Sequence, residues 1–193
     1  MSISPFFEEA SSTAPRDNIY VKRPQIGSWD EEWWRPSIGP LLLSEALVME
    51  RIAAGGPAHP NIVRYHGCRV RNNRLVGIEL QKYPISLNQH FHEDGEPPAD
   101  VDDFVAKVDS AIRHLHSLGL AHNDLNPSNI MLDETGAPVL IDFGSCQPFG
   151  GRLKTLGTPG WVDGDFFTSE LDHDISALEK LRKWLLDPER QLL

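Results

Sequence analysis

The stretch that decides the fold runs HNDLNPSNIMLDETGAPVLIDFG, residues 122–144. Two short apolar runs, Ile130–Leu132 and Val139–Ile141, flank the turn formers Asp133-Glu134-Thr135-Gly136. Such runs split by such residues predict a β-hairpin. With a loop of about four residues, residue 133 faces 138, 131 faces 140 and 129 faces 142. Paired strands lie about 4.8 Å apart, so Asn129 and Asp142 are expected to emerge side by side at one end of the ribbon. An amide oxygen and a carboxylate at that separation suit one hard cation such as Mg²⁺. Asp124 lies five residues before Asn129, on the loop leading into the same end, where a carboxylate can accept a proton. A surface hairpin with polar caps would use the same residue types, and Asp-Phe-Gly alone arises often by chance.

The joint pattern is more specific. His122-x-Asp124-Leu125-x-x-x-Asn129 followed by Asp142-Phe143-Gly144 resembles the catalytic-loop and metal-loop signature of protein kinases, with intervals similar to the family's. The resemblance implies an α+β, two-lobe fold: a small lobe over 19–80 with a β-sheet and one helix, a hinge at 81–84, and a mostly helical large lobe over 85–187. Residues 1–18, polar with scattered Pro and Ser, are expected to form a loose tail.

Composition narrows the function classes. The 193 residues, 40% of them hydrophobic, suit one globular domain or two small lobes. A net charge of −10 argues against a nucleic-acid or anionic-membrane surface. No apolar run approaches the roughly 20 residues of a membrane span. The first residues, MSISPFFEEASSTAPRD, lack the basic start and long apolar core of a secretory signal. Two cysteines far apart in sequence, Cys68 and Cys146, point to a reduced, intracellular and cytoplasmic protein.

Read in order, Ile19-Tyr20-Val21-Lys22 is a β-prone run closed by Pro24, and it resembles the strand whose lysine holds the α- and β-phosphates. An edge-strand surface lysine would look the same. The loop at 24–40 carries Trp29, Trp33 and Trp34, suited to packing a thin lobe. A helix is predicted over Leu41–Ala54, ended by Gly55-Gly56-Pro57. Within it Glu45 shares a face with Val48, Met49 and Ile52. A carboxylate on a buried-leaning face needs a cation, and Lys22 is the candidate, as in the kinase Lys–Glu pair; Glu50 is its rival. His59-Pro60-Asn61-Ile62-Val63 resembles the family's HPNIV element, with strands expected at Ile62–Tyr65 and Leu75–Leu80 around a basic turn, Arg69–Arg74. By the resemblance, the backbone around Leu80, Gln81 and Lys82 holds adenine, and Met131 lines the same ATP site.

The clearest helix follows the loop Gly95–Pro98, with Asp100 as N-cap and Asp103 in its first turn. Val101, Phe104, Val105, Val108, Ile112 and Leu115 form one stripe, and Gly119 stands where a C-terminal glycine belongs. His114-x-His116 and His90-x-His92 lack zinc-ligand spacing, and His122 reads as a core histidine. After Asp142 the loop SCQPFGGRLKTLGTPGW resembles a short activation segment, and Gly157-Thr158-Pro159 the element beside the substrate site. Asp165 ends a motif whose Ala-Pro is replaced by Asp163-Gly164. A last helix is predicted over Asp174–Leu186, stopped by Pro188, with the stripe Ile175, Leu178, Leu181 and Leu185. Asp174 opens it, either as N-cap or as the family's brace for the catalytic loop.

The implied reaction is phosphoryl transfer from ATP to a protein hydroxyl. Asn129 and Asp142 hold Mg²⁺, Lys22 and Glu45 serve the phosphates, and Asp124 orients the hydroxyl and takes its proton. The chain also departs from the pattern. Residues 1–21 contain no glycine, so the phosphate-covering loop is missing, and Tyr20 stands where a small residue faces adenine. Asn123 replaces the Arg that reads a phosphorylated activation loop, and Asn126 the Lys common in serine/threonine kinases. The chain stops after the central helix, so an exposed large-lobe edge is expected to need a partner or dimer. Two other readings stay open: an inactive kinase-like binding module, favoured by Tyr20 and the absent glycines, and a small-molecule phosphotransferase, favoured by Asn123 and Asn126.

Overall fold

The computed structural model describes residues 10, 16–24, 38–93, 95–155, 157–164 and 166–186, the side chains of 16 and 38–40 excepted. Trp29, Trp33, Trp34, Asp165 and Pro188 lie outside the described residues. Contacts divide the chain into two units: Met1–Pro57 with Arg64–Lys82, and Ala58–Val63 with Tyr83–Leu193. Residues 58–63, expected in the small lobe, thus belong with the second unit.

The first unit is a three-stranded antiparallel sheet with one helix. Strands β1 (Ile19–Lys22), β2 (Tyr65–Arg71) and β3 (Arg74–Gln81) lie in the order β1-β3-β2. The β2–β3 turn is tighter than the basic run Arg69–Arg74 suggests. It is the pair Asn72-Asn73, at φ 50° and 60°. Two consecutive left-handed residues match the strand twist in a two-residue hairpin, and asparagine tolerates that region. Helix α1 (Ile38–Ala54) starts three residues earlier than its apolar pattern indicates. Its buried face comprises Leu42, Glu45, Ala46, Val48 and Met49, and Gly56, at φ +138°, follows its end.

The second unit is built on α3 (Val101–Ser117) and α4 (Leu171–Leu186), with α2 (Leu87–His92) and two small sheets. Asp100 caps α3, its side chain accepting from the Asp103 amide at 2.9 Å. Phe104, Val108, Ala111, Ile112 and Leu115 are buried along it. Gly119, at φ +69°, closes it with an N–H···O bond to His116 of 2.9 Å. Helix α4 differs from expectation in two ways. It begins at Leu171, so Asp174 lies within its first turns and is not an N-cap. Its buried face is Asp174, Ala177, Leu181, Trp184 and Leu185, while Ile175 is exposed. Two large demands rotate the helix: Asp174 must reach backbone amides, and Trp184 packs edge-on against Phe91 with centroids 4.7 Å apart.

Strands β4 (Ile85–Ser86), β6 (Ile130–Leu132) and β7 (Pro138–Leu140) form one sheet, and β5 (Leu120–Ala121) pairs with β8 (Gln147–Pro148). Ile62 is not part of a strand leading into Tyr65. Asn61–Val63 instead docks beside β7, with Leu140 N–H on Asn61 O and Val63 N–H on Leu140 O, both at 2.9 Å.

The hairpin forms, but one residue out of the expected register. Ile130 faces Leu140, Met131 faces Val139 and Leu132 faces Pro138. Asn129 therefore pairs with Ile141, whose N–H meets its carbonyl at 2.9 Å, and does not face Asp142. The cause lies in the loop. Asp133 Oδ1 accepts from Thr135 N–H, Thr135 Oγ1 and Ala137 N–H at 2.8, 2.7 and 2.9 Å, stabilising a five-residue turn with Gly136 at φ +81°.

Burial pushes the Asp133 carboxyl up, but hydrogen bonds from Thr135 and Ala137 outweigh it and hold it below the ordinary carboxylate range. A depressed carboxyl contributes stability above its unfolded value, about 3.9, and loses it as pH falls through the folded one. We predict that Asp133→Ala costs about 1–2 kcal/mol at pH 7, and that the penalty shrinks below about pH 4. Urea denaturation at both pH values checks this; a pH-independent penalty contradicts it.

Candidate active site

The polar centre of the second unit is assembled from the loop after β5. Its shape starts from a buried carboxylate. Asp174 is 0% exposed, and its Oδ2 accepts from His122 N–H while its Oδ1 accepts from Asn123 N–H, at 2.9 and 2.8 Å. His116 Nε2 also lies 2.9 Å from Oδ2. Held at two consecutive amides, the chain turns through a left-handed residue, Asn123 at φ +63°. His122 is wholly buried; its Nδ1 accepts from Asp124 N–H, so its Nε2 donates to Ile141 O at 3.1 Å.

Asp124 emerges half-buried from this turn with its orientation fixed. Its Oδ1 accepts from Thr158 N–H and Thr158 Oγ1, each at 2.8 Å, and from Asn126 Nδ2 at 3.2 Å. Its Oδ2 accepts from Asn129 Nδ2 at 3.0 Å. Three donors converge on one oxygen and one on the other, so the remaining acceptor capacity lies at Oδ2. Such a carboxylate can orient a hydroxyl and receive its proton.

Asn129 gives its Nδ2 to Asp124, at both the carboxylate and the carbonyl oxygen (2.8 Å). Its Oδ1 has no hydrogen bond among the described residues. Asp142 stands at φ +59°, and its Oδ1 accepts from Gly144 N–H at 3.1 Å. An amide oxygen and a carboxylate are hard donors that fit Mg²⁺, which takes few protein ligands and fills its other positions with water or phosphate. No group of three or more His, Cys, Asp or Glu suited to a metal occurs among the described residues.

In the first unit Lys22 Nζ meets Glu45 Oε1 at 2.7 Å, and the Glu45 side chain is only 4% exposed. The rival, Glu50, instead accepts from Tyr65 O–H at 2.6 Å. Leu80 is buried in β3 and Gln81 ends it. The N–H groups of Gln81 and Lys82 donate to Arg64 O and Asn18 O, at 2.9 and 2.8 Å. Tyr20 is 53% exposed. Met131 lies half-exposed on β6 of the second unit.

Three residues gain roles that spacing does not reveal. Thr158 belongs to a visible motif, yet only the fold shows that both of its donors reach Asp124. Asn123 Nδ2 approaches Ala121 O, Ser145 O and Ser169 Oγ at 2.8, 3.2 and 3.0 Å, tying the loop to both ends of the segment after Asp142. His173 Nδ1 lies 3.1 Å from Asn123 Oδ1, and its ring stacks on Phe166; nothing in sequence marked it. A Cβ on Gly157 would collide with Val162 and lie 3.3 Å from Asn123 O, so the glycine permits the close approach of Thr158.

Comparison with known proteins covers the same region. A family model described as "Protein kinase domain" matches residues 34–169. The serine/threonine-protein kinase Tao of Drosophila melanogaster is 32% identical over 107 residues, 54% of this chain and 10% of that protein. TAO1-A of Xenopus laevis is 27% identical over 161 residues, 81% of this chain and 15% of that protein. SSK22 of Saccharomyces cerevisiae, also a serine/threonine-protein kinase, is 32% identical over 140 residues, 70% of this chain and 10% of that protein. The chain thus spans 10–15% of the length of these relatives.

Removing the Asn123 amide strands buried carbonyls and places alanine in a left-handed conformation. Asn123→Ala is expected to cost about 2–4 kcal/mol in urea denaturation. Asn123→Gly should recover about 1 kcal/mol of that, because glycine suits the backbone. An alanine variant as stable as the wild type would contradict the tie.

Proposed function

Because the chain belongs to the protein kinase family, we propose that it transfers the γ-phosphoryl group of ATP to a serine or threonine hydroxyl of a protein, with Mg²⁺ as cofactor. The observation that carries this is the fixed carboxylate of Asp124, held by Thr158, Asn126 and Asn129 with acceptor capacity left at Oδ2. Phosphoryl transfer asks little covalent chemistry of the protein and much positioning, so a rigid acceptor is the part that must be right.

In this reading the hydroxyl of the acceptor lies against Asp124 Oδ2, which orients it and takes its proton as the new P–O bond forms and the bond from the γ-phosphorus to the β–γ bridging oxygen breaks, releasing ADP. Asn126 stands where a lysine is common and brings no positive charge, so the γ-phosphate is neutralised less on this side. Lys22, paired with Glu45, provides the cation for the α- and β-phosphates. Asn129 and Asp142 would hold Mg²⁺, which when bound neutralises charge on the phosphates and aligns them. Adenine would rest near Leu80, Gln81 and Lys82. With the Gln81 and Lys82 amides already donating elsewhere, it would use other backbone groups there.

That commitment of amides also favours a second reading, a kinase-like module that binds partners and holds nucleotide weakly. One experiment separates the two. Native-state ligands raise the unfolding midpoint, so millimolar MgATP should raise the thermal midpoint by a few degrees, and Asp142→Ala should abolish the Mg²⁺-dependent part. No shift at any nucleotide concentration contradicts the enzyme reading. A shift unchanged in Asp142→Ala contradicts the metal assignment.

A further inference from the structure

Beside Asp124, wholly within the second unit, lies a groove of about 310 Å³. Asp124, Trp161, Asp163, Phe166, Asp172 and His173 contribute its chemistry. Three carboxylates line it, and no lysine or arginine does. Asp163 is neutralised from outside the lining by Lys180, 2.6 Å away, and accepts from Ser176 Oγ. Asp172 is exposed and has no hydrogen bond or ion pair among the described residues.

The one imidazole in the wall resolves its own polarity. Asn123 Nδ2 faces two carbonyls, which only a donor can satisfy, so Asn123 Oδ1 is the atom facing His173. His173 Nδ1 must then carry a proton, and in the neutral ring Nε2 is an acceptor with no partner among the described residues. Asp172 and His173 Nε2 are thus open acceptors in the groove, and its apolar walls include Trp161, Phe166 and Val162. A side chain with an apolar stem and a cationic tip complements both: the stem lies along the aromatic rings and the charge meets Asp172. An acidic side chain would face three carboxylates with no lysine or arginine among the lining residues, which is costly.

We propose that this groove receives a lysine or arginine of a peptide substrate whose serine or threonine lies at Asp124. The proposal rests on the phosphotransfer reading for the hydroxyl, but the groove can be tested without turnover.

The test is fluorescence-polarisation binding of labelled serine peptides to the full chain, with lysines, alanines or glutamates flanking the serine. The lysine peptide should bind at least about tenfold tighter than the glutamate peptide. Asp172→Lys should weaken the lysine peptide by about fivefold, the scale of one exposed charge pair, and leave the alanine peptide unchanged. Equal or reversed affinities, or an Asp172→Lys variant with the wild-type preference, overturn the proposal. So does binding of a hydroxylated polyamine such as an amino sugar without binding of the peptide. In turnover the lysine peptide should gain through KM, with kcat within about twofold. Basic-peptide binding with no turnover and no MgATP-dependent thermal shift sinks the phosphotransfer reading and leaves the groove standing.

Discussion

One buried carboxylate sets the geometry of the second unit's polar centre. Asp174 takes the amides of His122 and Asn123 on separate oxygens, and His116 leans on it from α3. A neutral amide at this position has a single acceptor oxygen and could not serve both N–H groups in the same way. With both held, the chain passes through a left-handed residue and delivers Asp124 to a fixed place. The cost of burying the charge is offset by three hydrogen bonds, so the group is worth keeping only where the loop's shape matters.

From that anchor the constraints spread by contact. Asn123 turns its amide onto Ala121, Ser145 and Ser169, fastening both ends of the segment after Asp142 without a formal charge. Thr158, allowed in close by Gly157, returns from that segment to Asp124. A neutral amide thus ties the loop to that segment through Ser145 and Ser169. In the first unit, Lys22 of β1 and Glu45 of α1 form an ion pair.

Much of this was legible in the sequence where residue types are forced. The hairpin follows from apolar runs around Asp133–Gly136, α3 from its stripe and its Asp100 cap, and Glu45 from a carboxylate on an apolar helix face; its partner Lys22 follows from the kinase resemblance. The family resemblance read from residues 122–144 agrees with the match over 34–169. The rest was decided partly by local hydrogen bonds and partly by tertiary contact. The register differs by one because three hydrogen bonds to Asp133 Oδ1 stabilise a five-residue turn in place of the expected loop of about four residues. The buried face of α4 departs from its apolar stripe because Trp184 and Asp174 are buried while Ile175 is exposed. Asn129 and Asp142 come from adjacent rungs instead of one, and His173 was invisible because a lone histidine on a helix carries no signal.

The central claim is that the Asp124 carboxylate, as positioned, is the proton acceptor of a phosphoryl transfer. Single-turnover transfer of labelled γ-phosphate from MgATP to a serine peptide tests it most directly, in the wild type and in Asp124→Asn. The account predicts measurable transfer by the wild type and a loss of at least about 100-fold in the variant, with the nucleotide-dependent thermal shift retained. Transfer undiminished in Asp124→Asn, or absent from a wild type that binds MgATP, would contradict it.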